Sequence, residues 1–249
     1  MNSRKRLLMA FLLLFIAMIL VSLFVLLNTY INLQKEQRSF EELAKPQEQI
    51  TNQQTKTEYY TELEKTNPDF WCWLNIKDTK INYPVMHTPQ NPEYYLHRDY
   101  EGNSSKSGVP FLDANCSNNC GNYLIYGHNM KNGTMFAELL KFEDIEYWQQ
   151  HQTILLENSA GSQKFIILAA FYTEVFGADQ PDAFRYYQYT DLTNPDDFNE
   201  YIQNIKVGAL YDTGIEAEYG EQLLTLSTCS YHTENGRFVV VAKEYSKTP

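Results

Sequence analysis

The chain has 249 residues, of which 43% are hydrophobic and 20% charged, and its formal net charge is −11. That length and composition allow one large domain or two small ones and exclude gross disorder. The acidic balance argues against nucleic acid as a partner and against a polybasic grip on anionic lipid.

Arg4, Lys5 and Arg6 precede "LLMAFLLLFIAMILVSLFVLL", residues 7–27, in which Ser22 is the only polar side chain. A run of about 20 apolar residues crosses a bilayer as a helix. The basic flank then assigns residues 1–6 to a cytoplasmic tail, residues 7–27 to a transmembrane signal-anchor, and the remainder to the outside of a single-pass membrane protein. A cleaved signal peptide is the competing reading. It would have a shorter apolar region, about 7–15 residues, and a small-x-small cleavage site. No such site follows Leu27, which favours the uncleaved anchor. Residues 28–65 are polar and rich in Gln, Glu and Lys; they read as a helical stalk that docks on the domain or lifts it from the membrane. The pattern breaks at "TNPDFWCWLNI", residues 66–76, and the domain is expected over 66–249.

From there the chain turns to short β-like runs separated by turn residues. They are "KINYPVM" (80–86), "GVPFLD" (108–113), "NYLIYGH" (122–128), "TILLEN" (153–158), "KFIILAAFYTE" (164–174), "EQLLTLSTC" (221–229) and "RFVVVAKEY" (237–245), with "WLNI" adding an eighth. Most lie too close together for crossover helices, which predicts a mostly antiparallel barrel or sandwich. The 19 Tyr and 14 Phe suit β-structure. Two inserts read as helical. Met135, Phe136, Leu139 and Leu140 are spaced for one helical face. In "TNPDDFNEYIQNI", Asn194 is a cap, Pro195 suits the first turn, and Asp196 and Asp197 favour the dipole. Phe198, Tyr201, Ile202 and Ile205 then recur at helical spacing.

Four cysteines follow the anchor. Cys72, between Trp71 and Trp73, reads as buried packing. Cys116 and Cys120 either bridge, as an extracellular site permits, or stay as two thiols. Their spacing without a nearby histidine is weak support for a metal, and no metal or cofactor is expected. Cys229 differs, because it ends a strand and precedes the turn "SYHTENG". Arg237 opens the partner strand of that hairpin, and His128 ends another strand in "YLIYGHNM". Alternation puts Ser227 and Thr225 on the face of Cys229, and Tyr126 and Leu124 on that of His128. Strand-end positions allow both groups to meet at one rim. Together they make chemical sense: a thiolate attacks an acyl carbon, an imidazolium protonates the leaving amine, and a guanidinium steadies the oxyanion. His232 also lies near Cys229 in sequence, but a turn holds a base poorly.

The series "YGHN", "TLSTC", "GRFVVVAK" resembles a sortase, specifically one of class B, and "NPDFWCWLNI", "INYPVMH" and "SGVPFLD" resemble that family's early strands. The resemblance covers roughly residues 66–245. It implies an eight-stranded β-barrel with N-terminal helices and a helix inserted before the Cys-bearing strand, held outside a Gram-positive cell by its anchor. It implies a cysteine transpeptidase with Cys229 as nucleophile, His128 as general acid/base and Arg237 as oxyanion or substrate clamp. Such enzymes cut a C-terminal sorting motif of Asn-Pro-x-Thr type after Thr, hold the surface protein as a thioester, and pass it to an amine of the cell-wall precursor or cross-bridge. Tyr126 and Ser227 match family positions lining the substrate groove, and Tyr172 and Thr173, at the end of the preceding strand, are expected to face that groove and bind substrate too. Tyr231 stands where some members carry an acidic residue. The rival functions are a cell-surface cysteine hydrolase, which differs only in taking water as acceptor, and a tethered binding module without turnover.

Overall fold

A computed structural model describes residues 3–49, 52–116 and 120–245. The chain divides into two compact units, Met1–Glu42 and Leu43–Pro249. The first is helical. The helix α1 runs over Ser3–Gln49. Its Arg4–Lys45 portion has a mean hydropathy of 3.2 over its most apolar window, and among the described residues it alone is long and apolar enough to cross a membrane. Leu8, Phe11, Leu14, Val21 and Phe24 point to different sides and are all exposed. A helix apolar on every side needs either a protein core or lipid around it.

The second unit is a closed barrel fronted by α2 (Gln53–Thr66). Asn52 caps α2 by accepting from the Gln54 amide. Tyr60 and Leu63 of α2 are buried, so this part of the region read as a stalk docks on the domain. The Tyr60 hydroxyl and the Lys56 ammonium both donate to Glu157, at 2.9 and 2.8 Å, and Ser162 donates to it at 2.7 Å. Burial pushes the Glu157 carboxyl up, but those three donors outweigh it and hold the carboxyl below its ordinary value.

The strands are β1 (Phe70–Ile76), β2 (Asn82–Met86), β3 (Phe111–Leu112), β4 (Asn122–Tyr126), β5 (Thr153–Asn158), β6 (Gly161–Glu174), β7 (Leu223–Cys229) and β8 (Gly236–Glu244). They close in the order β1-β2-β3-β4-β7-β8-β6-β5. The expected strand runs all appear, trimmed or extended by a few residues. Antiparallel pairing dominates, as expected, yet two neighbours are parallel: β2 with β3 and β4 with β7. The second pairing is long-range. It sets His128's strand beside Cys229's, although β5, β6, two α-helices and two 3-10 helices intervene in the chain.

The helical inserts cover the barrel. Phe136–Glu143 is a 3-10 helix followed by a short helix, α3 (Ile145–Gln150). Phe136, Leu139 and Phe142 are buried at i, i+3 and i+6, the repeat of a three-residue turn, and this displaces the α-helical face expected from Leu140. The helix α4 (Pro195–Gly208) forms as its sequence directs, with Asn194 accepting from the Asp196 amide and Phe198, Tyr201, Ile202 and Ile205 buried. Strand β7 is therefore covered on both faces, and Leu223 through Thr228 are all buried. Cys116 and Cys120 are buried thiols that form no disulfide, and both sulfurs lie against the Asn122 carbonyl at 3.4 and 3.5 Å. Cys72 is buried, and burial pushes its thiol up.

Candidate active site

The parallel pairing of β4 and β7 sets Tyr126 opposite Ser227. The chain beyond both strands stays zipped. The Gly127 amide donates to Ser227 O (3.1 Å), Thr228 Oγ1 donates to Gly127 O (2.7 Å), and Asn129 Nδ2 donates to Cys229 O (2.9 Å). These bonds carry His128 alongside Cys229. Glycine is needed at 127, because a Cβ there would lie 2.6 Å from the Phe136 ring. On the other side of β7 the hairpin to β8 puts Cys229 opposite Arg237, and β8 in turn pairs Arg237 with Thr173 of β6. Gly236 closes that hairpin; a Cβ on it would sit 2.4 Å from Ser230 O.

His128, Cys229 and Arg237 line one cleft of about 370 Å³, together with Tyr126 and Ser227. Thr173 extends the Cys229–Arg237 row but does not line the cleft. Tyr172 is its neighbour along β6 and therefore faces the opposite side. There its hydroxyl donates to Glu143 at 2.7 Å and its ring packs on Phe238 and His232. His232 is held at the hairpin by Ser230, with 3.0 Å between Nδ1 and Oγ, and lies outside the cleft lining. Other walls come from segments with no periodic signal. Leu96 follows β2 in a 3-10 turn, Asp113 and Ala114 follow β3, and Tyr186 and Tyr187 belong to the insert before β7.

Thr225, Ser227 and Cys229 share one face of β7. Thr225 Oγ1 donates to Asn122 Oδ1 (2.8 Å) and shares a hydrogen bond with the Tyr201 hydroxyl (2.6 Å). Ser227 Oγ shares one with the Tyr186 hydroxyl (2.7 Å). Burial pushes the Tyr186 phenol up to about 12, so it stays neutral. The cover ends there, and Cys229 projects half-exposed into the cleft. Tyr126 donates to Asp113 Oδ2 at 3.0 Å; burial, reinforced by that carboxylate, pushes its phenol well up.

His128 Nε2 lies 2.8 Å from Leu96 O. A carbonyl only accepts, so Nε2 carries the proton and the neutral ring keeps its lone pair on Nδ1. Burial holds His128 below the ordinary histidine value; the Leu96 carbonyl works against that, and the His97 charge works with it. Neutral imidazole therefore dominates at pH 7. Arg237 spends Nη1 on Asn235 O and Gly236 O, at 3.2 and 3.0 Å. Its other guanidinium donors have no protein acceptor among the described residues. The arrangement thus combines a thiol, a proton carrier and a permanent cation in one cleft, the set that covalent acyl transfer needs.

The family model for the sortase domain matches residues 74–245, more than half of the chain. The chain is 33% identical over 190 residues to sortase B of Listeria monocytogenes, covering 75% of this chain and 74% of that protein. The chain belongs to the sortase family.

Within it this is a class B sortase, hence a cysteine transpeptidase. The fold agrees. A Staphylococcus aureus sortase B–substrate complex superimposes with a TM-score of 0.77 at 24% identity, covering 88% of this chain and 100% of that one. A sortase B solved in complex with triglycine gives a TM-score of 0.75 at 25% identity, covering 86% and 99%. All eight strands of the barrel belong to the shared architecture. At position 231, where some class B members carry an acid, this sortase presents an exposed Tyr.

Proposed function

We propose that this sortase cuts surface proteins after the Thr of an Asn-Pro-x-Thr motif and transfers them to a cell-wall amine. The observation that carries the reading is the registry of Cys229 with Arg237 in the cleft that His128 also lines. In the form with a thiolate at Cys229 and an imidazolium at His128, the sulfur attacks the Thr carbonyl carbon. The oxyanion collects the free guanidinium donors of Arg237. As it collapses, the C–N bond breaks, the leaving amine takes a proton from His128, and a thioester remains on Cys229. An acceptor amine then attacks the thioester, His128 takes the amine's proton, and the thiolate leaves. Tyr126 and Ser227 line the groove for the motif. Thr173, paired with Arg237, sits behind the clamp, and Tyr172, on the opposite face of β6, steadies that strand.

The solved relatives carry the titles of a substrate complex and a triglycine complex, and these support a peptide donor and an amine acceptor. The exposed apolar α1 supports anchoring, with residues 1–6 cytoplasmic, 7–27 in the membrane and the barrel outside. The test uses the full chain in detergent with a panel of Asn-Pro-x-Thr peptides, with and without triglycine. Transfer product that forms only with triglycine and vanishes in Cys229→Ala is expected. Release of free acid alone, unchanged by triglycine, would make the enzyme a hydrolase.

A further inference from the structure

Two consecutive residues of one short turn grip the His128 ring. Leu96 O accepts a hydrogen bond from its Nε2–H. The His97 ring stacks on it, with centroids 5.6 Å apart and planes 23° apart. Both belong to the 3-10 turn Tyr94–His97, which is tied down on every side. Tyr95 is buried and donates to Asp69 at 2.9 Å. Arg98 lies over the Tyr94 ring, 4.5 Å from its centroid, and donates to Gly102 O. The Ser105 amide donates to His97 O and the Val109 amide to Tyr95 O. His97 itself is exposed, so it exchanges protons with solvent without any opening of the fold.

We propose that His97 is a positioning residue for His128, fixing the plane of its ring and setting how readily it takes a second proton. The inference rests on the reading of His128 as the proton carrier. A single hydrogen bond at Nε2 leaves an imidazole free to swing about that bond; a second ring laid against its face removes the swing. The contact is also electrical. Histidine is the side chain whose charge changes near neutral pH, and two stacked imidazolium rings repel. The other ionisable groups lining the cleft come from separate elements: Tyr126 on β4, Cys229 on β7, Arg237 on β8, Asp113 after β3, Tyr186 and Tyr187 in the insert before β7, and Glu93 before the turn. Asp113 is engaged by Tyr126, and His97 is the group in ring contact. His97 thus adds to the burial that already holds the His128 ring neutral.

Three variants separate position from charge. His97→Ala removes the ring, His97→Phe keeps a ring without charge, and His97→Arg keeps a charge without the imidazole. The readouts are the titration of His128 by NMR of ring-labelled histidine in the full chain in detergent, and kcat, KM and pH profile on the peptide and triglycine. We expect the His128 midpoint to rise in His97→Phe and fall in His97→Arg, the two differing by about 0.5–1 pH unit. The acid limb of kcat/KM should move with it. His97→Ala should lose about 5–10-fold in kcat with KM within about twofold, and His97→Phe should recover most of that loss, since a 1 Å misplacement of a catalytic group costs up to about 100-fold. A His128 midpoint that stays within about 0.2 unit in both the Phe and Arg variants overturns the proposal whatever the rates do. The NMR arm needs no turnover, so a wild-type chain that cuts no peptide would sink the proposed activity without deciding this inference by default.

Discussion

One face of β7 holds three polar groups with different fates. Thr225 and Ser227 are roofed by tyrosines from the insert before the strand, each hydroxyl matched to a partner. Cys229, one alternation further on, lies beyond the roof and meets the cleft instead. The local strand geometry is the same at all three positions, so what separates scaffold from site is the cover above them. A buried hydroxyl without a partner costs about 1–3 kcal/mol, which is why Tyr201, Tyr186 and Asn122 converge on the first two. The thiol at the edge has no such constraint and stays available for chemistry.

Substitutions along this face sharpen the contrast. The largest effect is at the open end. Cys229→Ala should remove transfer by at least about 10⁴-fold, the scale on which loss of a nucleophile is read. Its Tm should stay within about 2 °C of wild type, because a half-exposed thiol contributes little to stability. Next, Arg237→Ala should cost about 10²–10³ in kcat/KM, the usual effect of losing one oxyanion donor. Arg237→Lys should recover only part, since an ammonium lacks the planar fork. Equal activity in the Lys variant would argue against a forked contact.

Under the roof the signs reverse. Thr225→Val leaves Tyr201 and Asn122 short of a partner and should cost about 1–3 kcal/mol in denaturant unfolding. Activity per folded molecule should stay within about twofold, and a large kcat loss would mean that the two halves of the face are coupled. The smallest effect concerns the anchor of α2. The Glu157 carboxyl is depressed by Lys56, Ser162 and Tyr60 against the opposing pull of burial. A depressed folded value means that its stabilisation is present above the ordinary glutamate value, about 4.3, and is lost as pH falls through the lower folded value. Glu157→Gln should therefore flatten the fall in Tm below about pH 4, compared with wild type.

Much of this was legible in the sequence. Alternation along "TLSTC" and "YLIYGH" marks which side chains share a face, and the strand ends mark where a face becomes an edge. The α4 cap and its helical spacing needed no tertiary help. The walls of the cleft were not legible in that way. Leu96 and His97 sit in a 3-10 turn, and Tyr186 and Tyr187 in another, and such turns are too short to leave a period. The β4–β7 pairing joins segments about a hundred residues apart, and nothing local encodes it. Alternation also bears on Tyr172 and Thr173: strand neighbours point to opposite sides, so only one of them can face the groove. Whether Cys116 and Cys120 pair was open from spacing alone; in the structure they form no disulfide, and both sulfurs are tucked against one carbonyl.

The central claim is that Cys229 holds the cut protein as a thioester until an amine arrives. The direct measurement is the intact mass of the full chain mixed rapidly with an Asn-Pro-x-Thr peptide and no acceptor. The account predicts a mass gain equal to the acyl fragment, mapped to Cys229, that disappears on adding triglycine as the transfer product appears. Transfer product formed at full rate with no acyl-enzyme at any time point, or an adduct mapped to another residue, would contradict it.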